Sequence, residues 1–169
     1  MGDNLLILQW NCQSQRGKLD ELKAYLAETT QLPDLLVLQE TWLTDKVRLN
    51  FPGYNIARLD RVSTPGGGVA TLIRCGISYV SDIISHSPES LRVTIQTRKG
   101  AFINIINVYS QPSVTYDTLR DSLYKSFDHP NSIILGDFNA YSVVFGAKRS
   151  DTKGQLIEEL MDRYGLVGL

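Results

Sequence analysis

The sequence predicts an α+β fold in which helices pack against mixed β-sheets. Three observations carry that expectation. The chain opens as strand, helix, strand. Its middle is a series of short β-like runs broken by Gly, Pro, Ser or charged residues, as antiparallel hairpins require. It closes on a helix with recognisable start and stop signals. Elements in this order point to layers rather than to a bundle or a pure β-barrel.

The first run, Leu5 to Trp10, is apolar except for Gln9 and reads as a strand buried on both faces. Lys18 to Glu28 switches to helical spacing, with Leu19, Leu22 and Leu26 on one face, and Pro33 bars continuation. Leu35 to Leu38 is a second buried strand. Strands follow at Tyr54–Leu59, Gly68–Arg74, Ile77–Ile84, Leu91–Thr97 and Phe102–Tyr109, with Arg98-Lys99-Gly100 as a hairpin turn. Thr115 to Phe127 suits a helix and Ile133 to Leu135 a short buried strand. Lys153 to Tyr164 is helical, with Thr152 and Gln155 as a capping box and Gly165 as the stop. Leu166 to Leu169 reads as a strand beginning, so the chain is expected to be cut from something longer.

Composition bounds the function. The 169 residues suit one domain, 1–169, and 43% hydrophobic with 21% charged is enough to bury a core and excludes disorder. A net charge of −1 gives no global basic field, so any grip on nucleic acid must be local or metal-assisted. Cys12 and Cys75 form no CxxC pair and read as buried free thiols, consistent with an intracellular setting. No run reaches the ~18 apolar residues of a membrane span. Asp3 and Asn4 stand where a secretory signal is basic, so no signal peptide and no membrane partner are expected.

Four polar motifs sit at or just after apolar strands: Trp10-Asn11, Gln39-Glu40-Thr41-Trp42, Asn107-Val108-Tyr109 and Gly136-Asp137-Phe138-Asn139. Taken singly, each reads as well as a turn or surface group, since Gly, Asp and Asn are turn formers. Together, on strand ends, they converge on one rim. A helical crossover makes the first two strands parallel and brings Asn11 beside Glu40. A carboxylate and an amide oxygen, completed by water, suit Mg²⁺. Asp137 then suits deprotonation of a water, Tyr109 donation to developing charge, and Asn139 the holding of water or a phosphate oxygen.

In this order the motifs resemble those of the endonuclease/exonuclease/phosphatase family, which includes exonuclease III, the apurinic endonucleases, deoxyribonuclease I and inositol polyphosphate phosphatases. Asn11-Cys12, Gly66-Gly67-Gly68-Val69-Ala70 and the stretch from Gly136 through Lys148-Arg149-Ser150-Asp151 to Gly154 are similar to its non-LTR retrotransposon branch. The resemblance runs from Leu5 to Leu169. It implies a four-layer sandwich, α/β/β/α, of two mixed sheets flanked by helices and lacking its final strands. It implies Mg²⁺-dependent phosphodiester hydrolysis, with Mn²⁺ as substitute. Asn11 and Glu40 become metal-side residues, Tyr109 and Asp137 catalytic, and Asn139 positioning. DNA becomes the partner, with Lys148 and Arg149 as phosphate contacts, the nucleus the place of action, and a reverse transcriptase a further part of the polyprotein.

The chain departs from the family pattern in two places. The family closes on a Ser-Asp-His motif, whereas the two histidines here, His86 and His129, both precede Asp137. Asp128-His129-Pro130 imitates that motif but reads as a surface turn, and His86 as loop. After Ala140 the run Tyr141 to Gly146 carries Val143 and Val144 where branch members are more polar. Two other readings follow: a catalytically inactive remnant that binds without turnover, and a phosphatase for another phosphoester. The basic residues Arg58, Arg61, Arg74, Lys148, Arg149 and Lys153 are scattered and form no cluster suited to a multiply phosphorylated ring. Without its final strands the domain is expected to expose a sheet edge and to be marginally stable or to associate.

Overall fold

A computed structural model describes residues 4–13, 16–62, 64–97 and 99–168. Asp3, Arg98 of the expected hairpin turn and Leu169 lie outside them. The elements are β1 (Ile7–Asn11), α1 (Arg16–Glu28), β2 (Leu35–Gln39), β3 (Tyr54–Leu59), β4 (Val69–Arg74), β5 (Tyr79–His86), β6 (Glu89–Gln96), β7 (Phe102–Tyr109), α2 (Tyr116–Phe127), β8 (Ser132–Asp137) and α3 (Thr152–Tyr164).

The strands form two four-stranded mixed sheets, in the orders β1-β2-β4-β3 and β5-β6-β7-β8. The first contains one parallel pair, β1 with β2, and the second one parallel pair, β7 with β8. All other pairings are antiparallel. Each parallel pair is joined through a helix, α1 or α2, as a crossover connection demands.

Strand β2 shows how sequence makes layers. Its five residues are all buried. Leu36 and Leu38 pack with Leu19, Leu22 and Leu26 of α1, while Leu35 and Val37 turn to the other side and meet Leu91, Val93, Ile95 and Ile105 of the second sheet. The period of two in a strand thus serves two apolar interfaces at once. Each such Leu contributes about 1.5–3 kcal/mol through burial. A third core joins Leu119 and Leu123 of α2 to Leu156, Ile157 and Leu160 of α3. The architecture is the expected four-layer α/β/β/α sandwich.

Local expectations are refined in several places. β1 is not buried on both faces: it is an outer strand, with Gln9 exposed and its neighbours half-buried. The outer strand β8 is likewise half-buried, and it is longer than expected. The hairpin of β5 and β6 lies two residues off the expected bounds, so His86 is a strand residue paired with Glu89. Around the turn at Lys99, the Thr97 amide donates to Ala101 O and the Gly100 amide to Thr97 O. The cap of α3 is Asp151 rather than Thr152, its carboxylate accepting from the Gly154 amide at 2.7 Å. A carboxylate one residue earlier serves better, because it also meets the helix dipole. Gly165 ends α3 in the left-handed conformation, as expected. Leu166 to Gly168 form no strand. Cys12 is buried, but Cys75 is exposed, since it follows β4 in a turn rather than lying within it.

Candidate active site

The rim where β2, β7 and β8 end gathers five of the seven residues singled out in the sequence. Asn11 closes β1 opposite Gln39. Glu40 follows Gln39 directly, and Asn11 Nδ2 donates to Glu40 Oε1 at 3.0 Å. The same Nδ2 donates to Asp137 Oδ2 at 2.6 Å, joining the two sheets. Tyr109 and Asp137, the last residues of β7 and β8, are register partners. The Asn139 amide donates to Asp137 Oδ1 at 2.9 Å, and Asn139 Nδ2 donates to Ser110 O at 2.8 Å. Asp137 is thereby held on both oxygens.

Gln13, Glu40, Trp42 and Asn139 all adopt positive φ between 42° and 51°. Such conformations cost about 1–3 kcal/mol for residues other than Gly and persist where the surroundings enforce them. At Glu40 and Asn139 they turn the chain just beyond β2 and β8, and both side chains bond at the rim.

Tyr109 is nearly buried, and burial, seconded by the Glu40 carboxylate and also by Asp137 and Glu89, pushes its hydroxyl up to about 12, against the opposing pull of Arg61. At neutral pH it is therefore a hydrogen-bond donor and not a base. The Arg61 guanidinium lies 5.7 Å from the Tyr109 ring centroid and donates from Nε to Glu89 Oε1 at 2.5 Å. Glu89 Oε2 accepts from the Gly68 amide at 2.8 Å. Arg61 appeared in the sequence only as a scattered cation, and Glu89 did not stand out. An ion pair across 28 residues has no local signature, although two charges beside apolar strands are a cue to look for one.

The triple glycine belongs to this region. A Cβ on Gly67, at φ +69, would fall 2.2 Å from the Arg61 guanidinium. Glycine leaves room for the guanidinium as it lies and adopts the left-handed backbone without strain. The carbonyls of Gly67 and Gly68 accept from the amides of Trp42 and Thr41, tying this loop to the one after Glu40.

Beneath the rim, amides connect the sheets. Gln9 Nε2 donates to Gln39 Oε1 at 3.1 Å, and Gln39 Nε2 to Asn107 Oδ1 at 2.8 Å. Asn107 Nδ2 donates to the carbonyls of Leu38 and Ala70, at 3.0 and 3.1 Å. Gln39 and Asn107 are fully buried. Both belonged to motifs recognised in the sequence, but their structural office was not legible there.

Lys148 and Arg149 stand apart from the other five. They are exposed in the loop before α3, with no ion pair or hydrogen bond to the rim among the described contacts. His129 lies at the opposite end of β8 from Asp137, and Arg92 Nη1 is 2.8 Å from its Nε2. Arg58, Arg61 and Arg74 are engaged by Asp60, Glu89 and Asp34.

Among the described residues no three His, Cys, Asp or Glu side chains form a cage for a metal. The rim still fits Mg²⁺. Two carboxylates, Glu40 and Asp137, converge on one amide, and this ion takes one or two carboxylates and keeps several waters. Asn11 Oδ1 accepts from the Gln13 amide at 3.1 Å, which leaves it a second lone pair for a cation.

Residues 8–150 match the profile of the Endonuclease/Exonuclease/phosphatase family. The chain belongs to that family. It is 24% identical over 157 residues to the RNA-directed DNA polymerase from mobile element jockey of Drosophila melanogaster, covering 90% of this chain but 17% of that protein. Among solved structures it resembles the endonuclease domain of TRAS1, a telomere-specific non-LTR retrotransposon, with a TM-score of 0.78, 18% identity, and coverage of 97% of this chain and 76% of that one. It also resembles the catalytic domain of Xenopus laevis APE2, with a TM-score of 0.66 at 19% identity over 92% of this chain and 67% of that one. These structural likenesses establish the fold.

Proposed function

We propose that this chain is a metal-dependent DNA-nicking domain that belongs to a non-LTR retrotransposon polyprotein carrying a reverse transcriptase. The observation that carries the reading is the meeting of Asn11, Glu40 and Asp137 through one amide group, beside a Tyr109 held as a neutral donor. In the proposed reaction Glu40 and Asn11 would hold Mg²⁺, or Mn²⁺ in its stead, which would supply polarisation of a phosphate oxygen and offset charge in the transition state. Asp137 takes a proton from the attacking water, which adds to phosphorus as the ester oxygen leaves. Tyr109 donates its hydroxyl proton in a hydrogen bond to the charge that develops on phosphate. Asn139 keeps the Asp137 carboxylate turned to the rim through its backbone amide. Lys148 and Arg149 contact DNA phosphates outside the rim, since both are exposed and free to extend.

Action on chromosomal DNA would place the protein in the nucleus. Among the described residues no helix is long and apolar enough to cross a membrane. The test is nicking of supercoiled plasmid in Mg²⁺, beside an Asp137→Ala control. Nicking by the parent alone supports the enzyme. Binding of DNA without nicking by either protein supports instead the reading as an inactive remnant.

A further inference from the structure

The ion pair of Arg61 and Glu89 is not explained by stability. The two side chains are 10% and 4% exposed, beside the apolar layer that contains Leu59, Val69, Leu91 and Tyr109. Taking two charges out of water offsets most of what their attraction returns, and apolar residues of like volume often hold such a place as well or better. A further cost is the buried Arg61 Nη2, which has no hydrogen-bond partner. Local rules are broken in this way chiefly where function requires it, and this pair borders the candidate active site.

What the pair connects shows its use. Glu89 is the register partner of Tyr109, so its carboxylate stands on the strand next to that residue. One of its oxygens accepts from Arg61 Nε and the other from the Gly68 amide. Gly68 O in turn accepts from the Thr41 amide at 3.2 Å, and Gly67 O from the Trp42 amide at 2.9 Å. Thr41 follows Glu40 directly, and Glu40 and Trp42 both hold a positive φ that the surroundings must enforce. A Cβ on Gly68 would fall 2.8 Å from Thr41 Oγ1, so glycine lets the two loops close on each other. On the far side the Arg61 guanidinium lies over the Tyr109 ring. A bonded path thus runs from the Tyr109 end of the second sheet to the turn that carries Glu40 in the first. We propose that Arg61 and Glu89 are positioning residues, which brace the glycine loop and so set the Glu40 carboxylate relative to Tyr109 and Asp137. Their charges cancel, so the brace gives direction without adding net charge at the rim. This inference rests on Glu40 being a metal-side residue.

The experiment replaces the pair in the full chain by apolar residues, Arg61→Met together with Glu89→Leu, which leaves the net charge unchanged. Mn²⁺ affinity by titration calorimetry, without DNA, reads the placement of Glu40. The urea midpoint reads stability. The double variant is expected to bind Mn²⁺ between about 10- and 100-fold more weakly, the span for groups that orient a metal ligand, with a urea midpoint at or above the parent's. Glu89→Asp keeps the charge but withdraws the carboxylate by one methylene from the Gly68 amide. It is expected to weaken Mn²⁺ binding in the same direction, and it decides the matter if the double variant does not fold. Mn²⁺ affinity at the parent's level in a folded variant overturns the positioning role. A loss of affinity found only where the urea midpoint falls with it also overturns that role and leaves the pair as structural support. A parent that binds no Mn²⁺ overturns the metal reading of the rim itself, and this inference with it.

Discussion

Tyr109 and Asp137 are register partners at the carboxyl ends of two parallel strands, β7 and β8. Parallel pairing makes both strands leave the sheet at one rim. The ladder itself therefore fixes how Tyr109 and Asp137 are spaced along that rim. Asn11 reaches the same place from the other sheet, again at the end of a parallel pair.

Glu40→Gln keeps the shape of the rim and removes one of the two carboxylates that meet at Asn11. Mn²⁺ affinity measured by titration calorimetry is expected to fall by at least about tenfold, the lower end of what disturbing a metal site costs. Unchanged affinity would move the metal away from Glu40.

Tyr109→Phe changes the response to alkali. Its hydroxyl sits at about 12, above the ordinary 10. The folded state therefore holds this proton more tightly, and the stabilisation is complete below pH 10 and lost as pH rises through 12. Cys12, pushed up by burial from 9 to about 12, adds a similar loss that begins earlier. With Cys12→Ala present in both proteins, the urea midpoint is expected to fall less steeply between pH 10 and 12 in the Phe variant. Parallel curves would contradict the raised hydroxyl.

Gly136→Ala and Gly67→Ala separate two kinds of glycine. A Cβ on Gly136 would lie 2.0 Å from Val108 O, so β7 and β8 must part. The cost is expected at about 3 kcal/mol in urea unfolding, the upper end of overpacking, with loss of nicking. At Gly67 the obstructing atoms are the flexible end of Arg61, and the left-handed backbone dominates at about 1–2 kcal/mol.

Asn107→Leu leaves the carbonyls of Leu38 and Ala70 and the Gln39 amide without their partner. Each buried polar group left unpaired costs about 1–3 kcal/mol, so the variant is expected to fold weakly by chemical denaturation. A neutral result would show that the apolar replacement packs well enough to compensate.

The outer strands β1 and β8 each pair on one side only among the described residues. Their half-buried faces and free backbone groups favour association. Sedimentation velocity is expected to show concentration-dependent oligomers. A monomer with sharp, cooperative thermal unfolding would contradict this.

Much of the fold was legible because apolar runs and their periods are local. Leu35 to Leu38 announced a central strand, and Leu19, Leu22 and Leu26 the helix above it. The rim was legible because four short motifs end strands. What stayed hidden depends on distance or on neighbours. Gln9 reads like any interruption of an apolar run, and only the outer position of β1 explains its exposure. Arg61 and Glu89 are unremarkable until the sheets stack. The stretch from Ser150 to Gly154 joined the family signature, but its duty is architectural. Asp151 caps α3, and Gly154 admits the Tyr141 carbonyl where a Cβ would sit 1.8 Å away.

The amide chain from Gln9 through Gln39 to Asn107 acts as a dowel between the two sheets, adding directional bonds to their interdigitated apolar contact. Glu40 rides immediately beyond Gln39, and Tyr109 two residues beyond Asn107, so any slippage there would carry both away from the rim. Warming that loosens the dowel should therefore silence the proposed nicking while the helices and strands remain, and the temperature of half activity should fall below that of half unfolding.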